Sequence, residues 1–244
     1  MAEQLIFGVR PVIEAIEANK QIDRIYIKKG ADSPHIMQIL SLCQDKGIVN
    51  QFVPMEKLNK LTRNNHQGVV AQVSPIEYFE IEEIVETLKE KKDKNPLIVV
   101  MDSITDIRNF GAIARSAECA GADAIIMPKK NSAPVNGDAV KSSAGALTII
   151  PICRVGSIRN TLRFLVENGM QLVAATEKSE KTIYDADLTM PTVLIMGSED
   201  KGISKEVLKL CDITVAIPML GKTASLNVSA AAAVILFETL RQRR

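Results

Sequence analysis

Tryptophan is absent from this sequence, and Tyr and Phe number only 3 and 6. With aromatic residues at 4%, a surface that holds nucleic acid by stacking many bases on rings is disfavoured. Histidine is also scarce. His35 and His66 both lie early in the chain, so neither a His-based triad nor a zinc deaminase site has support in the later segments. Cys43, Cys119, Cys153 and Cys211 form no C-x-x-C pair, which leaves no zinc site, no disulfide framework and no expected metal. Reduced thiols of a cytosolic protein are the simpler account. No apolar run approaches the roughly 20 residues of a membrane span. The opening MAEQLIFGVR has no basic segment followed by a long apolar one, so it does not read as a signal peptide. A cytoplasmic protein without membrane partners is therefore expected. There is no G-x-G-x-x-G after a strand and no G-x-x-x-x-G-K-[ST], which disfavours a dinucleotide fold and a P-loop. Excess charge of one sign is missing too: 30 basic residues face 29 acidic ones. Any nucleic-acid partner must then meet basic groups concentrated locally.

What is present is apolar content of 46% over 244 residues, enough for one large domain or two modest ones. In the first part, short apolar runs alternate with helix signals. Pro11–Ala18 reads as a helix with proline in its first turn. Arg24–Ile27 reads as a strand, and Ser33 caps a helix running to Asp45. A strand at Ile48–Val53, a short helix at Met55–Leu61 and a strand at Gly68–Val73 complete a small α/β domain over residues 1–75. Residues 76–95 read as a connector. Ile81, Ile84, Val85 and Leu88 share one helical face there, and the charged run Lys89-Glu90-Lys91-Lys92-Asp93-Lys94 reads as solvated.

From residue 96 to 244 the texture changes. Leu97–Met101, Ala124–Met127, Leu172–Ala175, Val193–Met196 and Ile213–Ile217 are apolar without alternation, as strands of a parallel sheet buried on both faces are. Helix signals at Gly111–Ala120, Ser157–Asn168, Ser204–Leu210 and Leu226–Arg241 separate them. This is the pattern of an α/β domain of catalytic type.

Three segments begin where such a strand stops and run into a helix, the position where open α/β sheets gather ligands. The first spans Asp102 to Arg115, with Asn109 as a possible helix cap and Gly111 permitting close backbone approach. Arg115 sits among Ala112, Ile113, Ala114 and Ala117, where an arginine is expected to have a partner. The second, Gly197 to Ser204, brackets Glu199 between two glycines. On its own it is an ordinary connection with polar filler. The third runs from Pro218 to Ser229 and puts Ser225, Asn227 and Ser229 at the start of an alanine-rich helix, with Ser225 as the expected cap.

Together these segments resemble the three motifs of the SpoU (TrmH-like) RNA ribose methyltransferases. The matching residues are Asn109, Gly111 and Arg115; Gly197, Glu199 and Gly202; and Pro218, Ser225, Leu226, Asn227 and Ser229. Phe7-Gly8-Val9-Arg10-Pro11-Val12 and His66-Gln67-Gly68-Val69 resemble landmarks of that family's N-terminal RNA-binding domain, itself similar to a ribosomal-protein fold. Ser143-Ala144-Gly145-Ala146 also matches. One departure is Ile107 after Asp106, where the family usually has proline. It leaves the loop less restricted and removes no chemical group.

The resemblance implies a C-terminal parallel-sheet domain with a trefoil knot, a homodimer and S-adenosyl-L-methionine as cofactor. It also implies methylation of a ribose 2′-hydroxyl in structured RNA, with a guanosine of large-subunit rRNA as the nearest subgroup's substrate. Ribose methylation of tRNA, or a non-catalytic RNA-binding protein that keeps the fold, are the alternatives. By the same resemblance the cofactor is held near Thr176, Gly197, Ile217, Met219, Ser225 and Leu226. Arg115 acts at the 2′-hydroxyl, with Asn109, Glu199, Ser225 and Asn227 positioning it. A guanidinium rarely gives up its proton and is poorly suited to be a base. Stabilisation of the developing oxyanion suits it better. Arg10, Lys28, Lys29 and Arg63 are candidates for phosphate contacts.

Overall fold

The computed structural model describes residues 4–91 and 94–244, so Lys92 and Asp93 of the charged run and Met1–Glu3 of the N-terminus lie outside the described residues. The chain divides into two compact units: Met1–Glu77 with Pro134–Asp138, and Tyr78–Ala133 with Ala139–Arg244.

The first unit contains β1 (Leu5–Phe7), α1 (Val9–Glu17), β2 (Ile22–Lys28), α2 (Pro34–Asp45), β3 (Asn50–Val53), α3 (Met55–Leu61) and β4 (Val69–Val73). The sheet order is β1-β4-β2-β3. β2 and β3 are parallel, whereas β4 runs antiparallel to both β1 and β2. One face of the sheet is covered by α1 and α2, which bury Val12, Ile16, Ile36 and Ile39 against Ile25, Ile27, Val69 and Ala71. On the other side Leu58 of α3 packs with Tyr26, Val53 and Val70. As expected, Ser33 caps α2, its Oγ accepting the Ile36 N–H at 3.4 Å. The α/β alternation is thus present, with β1 added as a three-residue edge. The segment Pro134–Asp138 also belongs to this unit, where the Val135 N–H donates to buried Asp23.

The second unit contains α4 (Ile81–Glu90), β5 (Leu97–Asp102), α5 (Ile107–Cys119), β6 (Ala124–Pro128), α6 (Gly137–Ser142, which begins in the first unit) and β7 (Ile152–Val155). These are followed by α7 (Ile158–Glu167), β8 (Gln171–Ala175), β9 (Thr192–Gly197), α8 (Lys205–Leu208), β10 (Ile213–Val215) and α9 (Val228–Gln242). All five strand pairings of its six-stranded sheet are parallel, in the order β10-β8-β9-β5-β6-β7. Every residue of β5 and β9 is buried, which is why these strands read as continuous apolar runs. From β5 the chain builds outward through β6 and β7. It then returns to the other side of β5 for the rest, so the order reverses between β5 and β9.

The connector read at 76–95 differs from this arrangement. Tyr78 onward belongs to the second unit, and Ile81, Val85 and Leu88 lie in its core with Leu162, Leu165 and Leu172. The shared apolar face recognised in the sequence is what the core covers, and the charged residues of α4 take the opposite side. The far end of α9 is fastened by side chains. Arg243 donates to the carbonyls of Leu188 (2.8 Å), Asn95 (2.6 Å) and Met190 (2.6 Å), and Gln242 accepts the Leu188 N–H at 2.9 Å. Hydrogen bonds from Arg241 and Gln242 hold the Glu238 carboxyl down at about 2. Among the described residues no helix is long and apolar enough to cross a membrane.

Candidate functional site

β5 and β9 pair in register, with Asp102 opposite Gly197. The first and second motif segments therefore leave the sheet from adjacent points, at the carboxyl ends of the two strands where the order reverses. Ligands of open parallel sheets bind in that crevice. Asp102, buried, accepts the Ser204 N–H at 2.9 Å and the Ser103 hydroxyl at 3.1 Å, tying the start of α8 to the end of β5. Ser103 turns the chain off the strand with φ 62°.

The second segment is a tight reversal. Ser198 N–H donates to the Gly202 carbonyl at 3.2 Å, and Gly202 N–H returns to Ser198 at 2.8 Å. A Cβ at Gly197 would stand 2.2 Å from the Gly202 carbonyl carbon and 2.3 Å from the Ile203 nitrogen. Only glycine lets the loop fold this closely over its own strand. The loop holds Glu199 up to solvent.

The third segment ends in Asn227, which is the cap of α9. Its Oδ1 accepts the N–H groups of Ser229 (2.9 Å) and Ala230 (3.4 Å) and the Ser229 hydroxyl (2.6 Å). Its Nδ2 donates to Asn109 Oδ1 at 3.0 Å and to the Glu199 carboxylate. One amide thus draws the three segments together. Two expected caps are displaced. Asp106, not Asn109, caps α5 by accepting the Asn109 N–H at 2.8 Å, which frees the Asn109 side chain for Asn227. Asn227, not Ser225, caps α9, and Ser225 stays in the preceding loop.

Beside this network lies a cavity of about 470 Å³, within the range of about 300–1,000 Å³ usual for small-molecule sites. Met196, Ile203, Val215, Val228 and Ile235 are buried and form an apolar floor, while exposed Glu177, Lys178, Asp200 and Lys201 form a charged rim. Thr176, Gly197, Ile217, Met219, Ser225 and Leu226 all line it, as do Glu199 and Asn227. Asn109 reaches it through Asn227.

Arg115 does not line the cavity. It is exposed on α5, and among the described residues nothing hydrogen bonds or pairs with it, so the partner expected from its apolar neighbours is not found. The reason is geometric. Ile113, Ala114 and Ala117 point inward and leave Arg115 on the outer face. One turn before it, Gly111 lies against α6, where a Cβ would come within 2.6 Å of the Ser142 Cβ and Oγ.

Arg10, Lys28, Lys29 and Arg63 are all exposed in the first unit. The cysteines take no part in the cavity, and burial pushes the thiols of Cys43 and Cys211 up to about 11 and that of Cys153 to about 12. Among the described residues no group of His, Cys, Asp and Glu gathers to hold a metal. Asp102 was not distinguished as a site residue by sequence. The available signal was a carboxylate closing a wholly apolar strand.

Comparison with known proteins gives matches along the chain. Residues 96–237 match the model of the SpoU rRNA Methylase family, and residues 5–79 match that of RNA 2′-O ribose methyltransferase substrate binding. A 23S rRNA (guanosine-2′-O-)-methyltransferase RlmB of Pseudomonas putida is 37% identical over 98% of this chain and 96% of its own. A putative TrmH family tRNA/rRNA methyltransferase, YacO, of Bacillus subtilis is 32% identical over 98% and 95%. Among solved structures, the SpoU methyltransferase AviRb of Streptomyces viridochromogenes in complex with AdoMet superposes with a TM-score of 0.63. It is 29% identical and covers 99% of this chain and 90% of its own.

Proposed function

The chain belongs to the SpoU rRNA Methylase family, S-adenosylmethionine-dependent enzymes that methylate RNA ribose 2′-hydroxyls, and from that membership we propose that its substrate is a guanosine ribose of large-subunit rRNA. The observation that carries this is the extent of the likeness to the 23S rRNA guanosine enzyme. It runs through the first unit as well as the second, so the part that selects RNA is shared along with the part that holds the cofactor. A cytoplasmic location accords with such a substrate. The proposal includes a homodimer and a trefoil-knotted second unit, in keeping with the family. The exposed Leu220, Leu226, Val234 and Phe237 offer apolar surface for a second copy.

The cavity fits the cofactor. Its floor suits an adenine ring, and its charged rim suits the amino-acid end. It opens at the carboxyl ends of parallel strands, beside the negatively charged Glu199. Thr176, Gly197, Ile217, Met219, Ser225 and Leu226 hold it. When bound, S-adenosylmethionine supplies a methyl group activated on a sulfonium. Asn109, Glu199, Ser225 and Asn227 orient the ribose 2′-oxygen. Arg115 binds the adjacent phosphate and stabilises the oxyanion that develops there. Its exposed guanidinium, with no partner among the described residues, is available for both tasks.

Asn227 separates fold from chemistry. Asn227→Ala removes the α9 cap and is expected to lose about 1 kcal/mol of stability. Asn227→Asp keeps the capping oxygen but sets an acceptor against Asn109 Oδ1 and Glu199. It is expected to unfold near the wild-type temperature while methyl transfer falls at least about 10-fold, since an interaction at the reacting centre is lost without a change of fold. Calorimetric melting and a methylation assay on the same preparations check this. Normal turnover by Asn227→Asp would show that the junction is structural.

Mapping 2′-O-methyl positions in total RNA from cells with and without the gene tests the substrate. One large-subunit guanosine is expected to lose its mark and regain it on complementation. A lost mark confined to tRNA overturns the rRNA reading, and an unchanged map overturns the catalytic one.

A further inference from the structure

The segment His66-Gln67-Gly68-Val69 takes no part in the cofactor site, yet its backbone is held in a demanding shape. Gln67 and Gly68 have successive positive φ values of 49° and 84°. For Gln67 that conformation costs roughly 1–2 kcal/mol. The loop is pinned by the Gly68 N–H donating to His66 Nδ1 (3.0 Å), the Val69 N–H donating to the His66 carbonyl (2.8 Å), and the Gly68 carbonyl accepting the Lys28 N–H (2.8 Å). A backbone N–H can only donate, so His66 Nδ1 is an acceptor. The proton of the ring then sits on Nε2 and is given to Asn59 Oδ1 at 2.9 Å.

This assignment fixes the Asn59 amide. Its oxygen is occupied by His66, and its NH₂ has no partner among the described residues. Gln67 is arranged the same way: Oε1 accepts the Val9 N–H at 3.2 Å, and among the described residues the NH₂ has no partner. Both residues line one cavity of about 560 Å³ in the first unit, together with Met55 and Lys28. The Lys28 stem runs over Gly68, with Lys28 Cβ 3.4 Å from where a glycine Cβ would be.

The site offers two NH₂ groups and an ammonium as donors, with the Asp32 carboxyl on the same lining. It suits a ligand edge with adjacent acceptors. We propose that this cavity is a subsite for one unpaired guanine nucleotide of the RNA, its O6 and N7 acceptors read by the Asn59 and Gln67 amides and its phosphate met by Lys28. The soft thioether of Met55 packs against the ring. The assignment rests on the RNA-substrate reading above and adds Asn59, Gln67 and Met55 to the Lys28 phosphate contact expected from the sequence.

The test is a titration of the ¹⁵N-labelled full chain with guanosine, adenosine, cytidine and uridine 5′-monophosphates and with inorganic phosphate, followed at the side-chain NH₂ resonances of Asn59 and Gln67. Guanosine monophosphate is expected to shift both and to bind about 10-fold more tightly than the other nucleotides, the discrimination typical of a two-point base contact. Asn59→Asp keeps the oxygen that His66 needs but has no NH₂. It is expected to retain the loop's backbone spectrum and lose the preference. Equal binding of all four nucleotides, shifts reproduced by phosphate alone, no shift at Asn59, or a preference that survives Asn59→Asp would each overturn the subsite. No shift at Asn59 in a protein that still methylates rRNA condemns the subsite alone. A guanosine-specific shift in a protein that leaves rRNA unmethylated condemns only the substrate assignment.

Discussion

Gly197→Ala is expected to weaken S-adenosylmethionine binding by about 100-fold or more. The methyl would sit 2.2–2.5 Å from the Gly202 carbonyl and the Ile203 nitrogen, atoms of the main chain that cannot rotate away. Overpacking against movable side chains costs about 1–3 kcal/mol, and a backbone obstacle belongs at or above the upper end. About 3 kcal/mol corresponds to a factor near 150 in affinity. The strain can be relieved only by lifting the Ser198–Gly202 reversal off β9. That movement carries Glu199 away from Asn227 and opens the floor of the cavity at Ile203. Calorimetric titration of the cofactor checks the prediction. Gly156→Ala serves as the control, because a Cβ there meets nothing within 4 Å. An affinity for Gly197→Ala within about threefold of the wild type would mean that the cofactor does not use this loop.

The same reversal shows what sequence can and cannot convey. Strands β5 and β9 were legible because full burial leaves only apolar side chains, and the position of the motifs followed from where those runs stop. Their register was not legible. That Asp102 lies opposite Gly197 is a property of pairing between residues 95 apart in the chain, and the role of Asp102 in holding Ser204 follows from it. Short edges escaped for a related reason. β1 is three residues long, and β7 carries Arg154 within four, too little pattern to rise above a loop. The start of α9 could be read at Ser225 or at Asn227, since both side chains cap well. Contacts with Asn109 and Glu199 on two other segments decide for Asn227. The return of Pro134–Asp138 to the first unit has no local signature at all.

Arg115→Ala is expected to lower the rate of methyl transfer at least about 100-fold while leaving cofactor affinity and folding stability nearly unchanged. The stability half follows from the structure. Arg115 is exposed and has no partner among the described residues, and truncating such a surface side chain changes stability by about 0.5 kcal/mol or less. The cofactor half follows from its absence among the residues that line the cavity. The rate half follows from the chemistry of the acceptor. A ribose hydroxyl gains negative charge as it attacks, and loss of one preorganised donor to such an oxyanion costs about 2.7–4 kcal/mol. Arg115→Lys then distinguishes how the charge is used. A point charge that only neutralises phosphate is largely replaced by an ammonium, whereas a guanidinium that spans the phosphate and the 2′-oxygen with two N–H groups is not. Single-turnover rates on an rRNA fragment, measured with saturating cofactor, are expected to stay low for Lys as well as Ala. Recovery by Lys would reduce Arg115 to phosphate binding, and near-normal turnover by Ala would remove it from the reaction.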